Sequence, residues 1–332
     1  MTVVLLTCAG LRVDILAAFG RAGATTVAAD VNPLAPALHR SDHALVAPPY
    51  TDPGYIPALR DTIAEHGVDV VLPLTDLDMV VLAKHREALD ALLLLPDVET
   101  IERTNDKYRN HRYLEEHGIG SPAAWLPAEL PDELPFPVLV KPRRGFGSRN
   151  INRAEGREEL EVALARTPVE SYVEAFCSGQ EFSIDVFCDL ESRCLNAIPR
   201  IMIESKGGEM IKGMAIDDPE LVELGRRVSE TVGVRGPTTV QCFRTAPGRL
   251  EVTDVNLRFG GGFPLPLAAG SEYPALALAL AGGERPEPRV GSFRAGVLVT
   301  RYFSEVCLVE NPDGTLSPLP EEGAGLVAES RS

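Results

Sequence analysis

Leu250-Glu251-Val252-Thr253-Asp254-Val255-Asn256-Leu257-Arg258 is the stretch that decides the reading of this chain. Apolar and polar residues alternate along it, which predicts a strand, and side chains two apart share one face. Asp254, Asn256 and Arg258 therefore lie together, and Gly260-Gly261-Gly262 follows directly. An earlier run, Thr238 to Phe243, is a second strand. The short turn between them contains Pro247-Gly248, so the pair reads as a hairpin with Gln241 roughly opposite Asp254. Asp, Asn and Gln oxygens on one face form a hard-cation site of the magnesium type, which uses few protein ligands and leaves room for phosphates. Arg258 adds a fork of donors for a carboxylate or a transferring phosphoryl group.

Two upstream segments extend the pattern. Val138 to Val140 is a strand that runs into Lys141-Pro142 and then the loop Arg143-Arg144-Gly145-Phe146-Gly147-Ser148-Arg149. Lysine at the end of a strand aims a compact charge at a phosphate, and a Gly/Ser loop presents backbone N–H groups to anionic oxygens. No G-x-x-x-x-G-K-[ST] sequence occurs, so this is not a P-loop. Glu174-Ala175-Phe176-Cys177-Ser178-Gly179-Gln180-Glu181 is an extended segment with two acids seven positions apart. Those acids suit an adenine amino group and ribose hydroxyls.

The first hundred residues have another rhythm. Strand-like runs at Val3 to Thr7, Thr25 to Ala29, His43 to Val46 and Val68 to Leu72 alternate with helix-like runs at Val13 to Arg21, Tyr55 to His66 and Asp78 to Leu89. Repeated β-then-α units predict a parallel sheet covered by helices, a Rossmann-like domain over residues 1–100. Gly10 follows the first strand, and Asp30 ends the second, as in dinucleotide folds. The glycine fingerprint fails, however, because Leu11, Arg12, Val13 and Asp14 come next. Two readings stay open: an ordinary parallel-sheet turn, or Gly10 and Arg12 bordering a substrate cleft, since the carboxyl ends of the strands face such clefts. Farther along, helices are expected at Asn105 to His117 (capped by Thr104 or Asn105), Glu155 to Arg166, Pro219 to Val232 and Pro264 to Ala281. Closing strands are expected near Val297 to Phe303 and Val306 to Val309.

Composition narrows the function. The 332 residues carry 32 basic and 48 acidic side chains, a net charge of −16, with 45% hydrophobic and 24% charged residues. These are globular values with room for two or three domains. The acidic balance argues against duplex nucleic acid and against an anionic membrane surface. The longest aliphatic runs are far short of the ~20 residues a membrane span needs, and no secretion signal is expected, which points to the cytoplasm. Six cysteines lie scattered without a C-x-x-C and read as small hydrophobes; the six histidines all precede Gly118. Only five of the 32 basic residues are lysine (84, 107, 141, 206 and 212), so each retained lysine draws attention.

The motifs NDKYRNHRYLEEHGIGSP (105–122), VLVKPRRGFGSRNI (138–151), EAFCSGQEFSID (174–185) and VQCF…LEVTDVNLRFGGGFPL (240–265) together resemble the ATP-grasp superfamily. They are closest to its carbamoyl-phosphate-synthase-like carboxylate–amine ligases. The resemblance covers roughly residues 100 to 305 in order. It implies an α/β and α+β protein: a Rossmann-like pre-ATP-grasp domain, then a two-lobed ATP-grasp domain over 101–310. The lid lobe would span about 120–175 and the C-terminal lobe about 176–310, followed by a polar tail over 311–332.

It also implies site roles. Lys107 and Lys141 contact ATP phosphates, and the loop bearing Gly145, Gly147 and Ser148 closes over them. Glu174, Ala175 and Phe176 take adenine, largely through backbone groups, and Glu181 takes ribose. Gln241, Asp254 and Asn256 hold Mg2+, with Mn2+ as an alternative. Arg258 supports the acyl-phosphate region, with Arg200 and Lys212 as looser substrate or phosphate contacts. The position of Asp254 is more often Glu in the family, and that of Gln241 often Glu in amino-acid ligases, so the metal is expected to arrive with ATP. The expected reaction joins a carboxylate to an amine, the substrates being an amino acid or small peptide, in a homodimer or other homo-oligomer. The alternatives are a single bicarbonate-activating unit and a non-catalytic ATP-binding sensor.

Overall fold

The computed structural model describes residues 1–145, 150–206, 209–246 and 248–319. The amino-terminal third is built on a five-stranded, all-parallel sheet. Its strands run in the order His43–Val46, Thr25–Asp30, Val3–Thr7, Val70–Pro73, Leu92–Leu93. The central strand shows why two helix layers are needed. Val4 and Leu6 face one core with Ile15, Leu16 and Phe19 of helix Val13–Arg21, whereas Leu5 faces the other with Leu59 and Ile63 of helix Tyr55–His66. Both faces are dry, so the strand reads as an unbroken apolar run. Gly67 ends the second helix at φ 61°, a left-handed C-cap that glycine adopts without strain.

The remainder uses antiparallel sheets. A four-stranded sheet runs Ala124–Trp125, Ser171–Ala175, Val138–Pro142, Asn152–Ala154 and is backed by helix Arg157–Arg166. A six-stranded sheet runs Arg249–Asn256, Gly236–Thr245, Gly179–Cys188, Cys194–Lys206, Glu209–Ala215, Leu298–Thr300. Helix Pro219–Val232 packs on it, capped by Asp218, which accepts from the Glu220 and Leu221 amides. Among the described residues, no helix is long and apolar enough to cross a membrane.

Several expected elements differ. The helix at Asp78 to Leu89 ends at Lys84 and continues as a separate turn, Arg86–Ala88. The helix expected at Asn105 to His117 runs over Lys107–Glu116, and a further helix, Val98–Asn105, precedes it. Asp106 between them, not Thr104 or Asn105, is the cap, and its side chain accepts from the Arg109 amide. The apolar helix at Pro264 to Ala281 breaks into Pro264–Ala268 and Tyr273–Ala281 around Gly270, whose φ of 96° no helix accommodates. Part of the expected tail pairs as a hairpin, Leu308–Glu310 with Leu316–Pro318.

Candidate functional site

A cavity of about 480 Å³ opens between the two antiparallel sheets. Lys107, Lys141, Gly145, Glu174, Phe176, Glu181, Gln241, Asp254, Asn256 and Arg258 line it. Ala175 sits one residue inside the wall on strand Ser171–Ala175, where its amide donates to the Ala123 carbonyl at 2.9 Å. Gly147 and Ser148 lie outside the described residues. Gly145 is at φ 146°, in the half of backbone space that favours glycine.

The hairpin reading holds: Gln241 is registered directly opposite Asp254. The register then slips, so that Cys242 faces Val252 and Thr253 is the extra residue of a bulge. Because of it, Val252 and Val255, three apart, both point into the core, while Thr253, Asp254 and Asn256 line the cleft. Gln241, Asp254 and Asn256 oxygens come from neighbouring positions on two paired strands, and the Asn256 amide lies 3.5 Å from Gln241 Oε1. Glu181, on the next strand, accepts from Gln241 Nε2 at 3.2 Å. Among the described residues, no three His, Cys, Asp or Glu side chains cluster as a metal site. One carboxylate with amide oxygens beside it fits a hard cation that keeps most of its coordination for phosphate and water.

Both cleft lysines are held by acids. Lys107 opens helix Lys107–Glu116 and donates to Asp254 at 2.6 Å. Burial pushes Asp254 up, but the positive charges of Lys107, Lys141 and Arg258 outweigh it and hold the carboxyl below the usual range. Lys141 donates to Glu174 at 2.6 Å. Glu174 is 1% exposed, and its other oxygen accepts from Tyr172 at 2.8 Å and lies 2.9 Å from His111 Nε2. Burial acts to raise this carboxyl as well, yet His111 and Lys141 bring it down to about 2. Burial raises Glu181 above its ordinary value, against the lowering influence of Arg200, Gln241 and Lys141.

The site therefore corrects three expectations. The Glu174 side chain is the buried anchor of Lys141, not a free acceptor for adenine. Arg200 is 4% exposed and does not line the cavity; Asp185 takes its Nε at 2.7 Å and in turn accepts from Thr239. Lys212 lies on strand Glu209–Ala215, donates to Glu204 at 2.6 Å near the surface and does not line the cavity either. Two of the five lysines, not three, thus reach the cleft. Asp30 also plays a structural part, since its carboxylate accepts from the Gly10 and Asn32 amides, each at 2.8 Å.

The glycine run beside Arg258 is packed from several sides. A Cβ on Gly262 would come within 2.5 Å of Arg200 Cζ, so the buried guanidinium demands glycine there. Arg12 donates to the Phe259 and Gly260 carbonyls at 3.3 and 3.1 Å, and Arg301 to that of Gly261 at 2.9 Å. Sequence reasoning missed His111, Tyr172 and Asp76, the last of which lies 3.6 Å from Arg258. Tyr172 lies in no quoted motif and His111 lies inside the 105–122 motif without a role there; the Thr75-Asp76-Leu77-Asp78 run after a predicted strand offered a signal for Asp76.

Comparison with known proteins finds similarity in both parts of the chain. Residues 4–93 match the family model described as PylC-like, N-terminal domain. Residues 169–303 match the model described as ATP-grasp in the biosynthetic pathway with Ter operon. The carboxyl-terminal part of the chain is thus similar to an ATP-grasp family. A curated relative, the D-alanine–D-alanine ligase of Alcanivorax borkumensis, is 26% identical over 170 residues, 46% of this chain. The match spans about half of that relative's length, 53%. Among solved structures, the L-amino acid ligase of Bacillus licheniformis superposes with a TM-score of 0.68 at 20% identity, covering 85% of this chain and 74% of the other. The biotin carboxylase domain of Hydrogenobacter thermophilus 2-oxoglutarate carboxylase, in complex with MgADP and bicarbonate, gives 0.72 at 18%, covering 89% and 73%. These two likenesses are of ATP-grasp fold.

Proposed function

We propose that this protein is an ATP-grasp carboxylate–amine ligase that forms an amide through an acyl phosphate, releasing ADP and phosphate. The observation that carries the reading is the joint presence in one cavity of Lys107, Lys141, the Gln241, Asp254 and Asn256 oxygens, and Arg258. ATP would lie along the cavity with its phosphates between the two lysines. The bulged hairpin holds the oxygen ligands for magnesium, whose part when bound is to neutralise phosphate charge. A substrate carboxylate near Arg258 attacks the γ-phosphorus in line, and the amine then displaces phosphate from the acyl carbon. No nucleophilic side chain is needed, so positioning and fixed charge do the work. The Gly145-bearing loop, including Gly147 and Ser148, would shield the acyl phosphate from water.

The amino-acid ligase form of this reading is supported by the D-alanine–D-alanine ligase relative. A reducing, cytoplasmic setting and a homo-oligomeric state belong to the same proposal; six free cysteines, four of them buried, suit the setting. The test is an ADP-release screen over pairs of amino acids, followed by mass measurement of the product. A product equal to the two substrates less one water supports the ligase. Transfer of label from bicarbonate into product would support the bicarbonate-activating alternative. ATP binding without ADP release across the panel would support a sensor.

A further inference from the structure

Beside Arg258, at the edge of the cavity, the amino-terminal domain meets the glycine run, where Arg12 reaches the Phe259 and Gly260 carbonyls. Asp76 comes from the loop after strand Val70–Pro73, at the carboxyl edge of that sheet. This is where open α/β sheets receive ligands. Its Oδ1 atom is buried and accepts no hydrogen bond among the described residues. The nearest cation is Arg258, with Nε 3.6 Å away, beyond the 2.7–2.9 Å of a charge-assisted hydrogen bond. Arg258 Nη1 is engaged by the Phe259 carbonyl at 3.2 Å, so the fork is turned partly away from the acid. Both side chains are 21% exposed, open enough to be reached. The backbone around them is braced: Arg12 and Arg301 hold the carbonyls from Phe259 to Gly261.

A guanidinium and a carboxylate standing side by side, neither satisfied by the other, match a molecule with the opposite pair of charges on adjacent atoms. We propose that Asp76 receives the α-ammonium of the substrate whose carboxylate Arg258 holds, so that the site selects a zwitterionic α-amino acid over a plain carboxylic acid or bicarbonate. This rests on the ligase reading above. It has a chemical consequence. An amino group held as ammonium has no free electron pair, so the activated amino acid cannot serve as the amine, and the acyl phosphate is kept for a second molecule.

The test uses matched pairs, each an amino acid and its desamino analogue, such as alanine and propionate. With the intact protein, ADP release should favour the amino acid in kcat/KM by at least about 100-fold, since a site built to bond an ammonium rejects the analogue without it. Asp76→Asn should lower the amino-acid value about 100-fold and leave the analogue within a few-fold, collapsing the preference. Equal losses for both would mean that Asp76 only positions Arg258, and an unchanged preference would remove it from recognition; either overturns the proposal. Calorimetric titration of the same pairs, over all twenty side chains with ADP and magnesium present, reads recognition without turnover. An amino-acid preference lost in Asp76→Asn supports the proposal even where no ADP is released, which would count against the ligase reading alone. No preference for any amino acid in the intact protein sinks it outright.

Discussion

Lys141 is held near the carboxyl end of a strand by a buried acid. Glu174 is 1% exposed and keeps two further partners, Tyr172 and His111, so the ammonium is fixed in place before any ligand arrives. Such preorganisation is what a transferring phosphoryl group exploits. Lys141→Ala should therefore cut ADP formation by roughly 10²–10³-fold, the scale of one lost charge-stabilising donor. Near-normal turnover in a folded Lys141→Ala protein would remove the lysine from the chemistry. Glu174 also makes a pH prediction. Its carboxyl is depressed from an ordinary 4.5 to about 2, despite burial, by His111 and Lys141. A depressed acid stabilises the fold above its unfolded value and loses that contribution as pH falls through its folded value. About 3 kcal/mol should thus disappear between pH 5 and 2. Urea unfolding across that range should show the loss in the parent chain and a flatter acid limb in Glu174→Gln.

At the scale of elements, Asp106 joins two roles that look unrelated in the sequence. It caps helix Lys107–Glu116 through the Arg109 amide and takes Arg143 with both oxygens, at 3.1 and 2.5 Å, while 0% exposed. Lys107 is the next residue, and its amide donates to the Arg143 carbonyl at 2.8 Å, so cap, arginine and lysine move together. Asp106→Ala should cost about 1–3 kcal/mol, since it removes the cap and one of the two acids on Arg143, which keeps Glu170, and should lower nucleotide affinity as Lys107 shifts. Thermal unfolding with and without ADP measures both; an unchanged midpoint would contradict the account. The tie to Arg143 cannot be read from the sequence, since Arg143 lies 37 residues away and no local pattern reveals it. Where partners are local, reading succeeded: helices Val13–Arg21 and Pro219–Val232 end where their patterns stop. The hairpin was legible from alternation and its turn, but the Thr253 bulge was not, because a bulge is set by the partner strand. Strand Cys194–Lys206 went unread because its first seven residues are all buried and Pro199 interrupts them, hiding any period of two. Arg200 was mistaken for a site residue for the same reason. Its partner Asp185 reaches it only through the pairing of strands Gly179–Cys188 and Cys194–Lys206.

The whole molecule sets two electrostatic scales against each other. A net charge of −16 repels itself and repels ATP, so any affinity for ATP must come from the few cations lining the cavity: Lys107, Lys141, Arg144 and Arg258. Three of them sit close to acids, Lys107 by Asp254, Lys141 by Glu174 and Arg258 by Asp76, so their field is short-ranged. Added salt screens both effects, with a Debye length near 10 Å at 0.1 M. The signs then separate. Screening the diffuse self-repulsion should raise the urea midpoint of the chain as ionic strength goes from 0.05 to about 0.3 M. Screening the cavity cations should weaken nucleotide binding over the same range at fixed magnesium, because direct contacts with phosphate dominate the long-range repulsion. Titrating ADP at each salt concentration, alongside urea unfolding, checks the pair. Affinity that climbs with salt in step with stability would show that the global charge, not the lysine-lined cleft, governs the approach of the nucleotide. The local account would then have to be abandoned. Arg144→Glu sharpens the comparison: it changes the net charge by only two in sixteen, yet it reverses one cation of the cavity wall. It should weaken ADP about tenfold while moving the urea midpoint little, since its guanidinium is mostly exposed and lies 3.9 Å from its nearest acid.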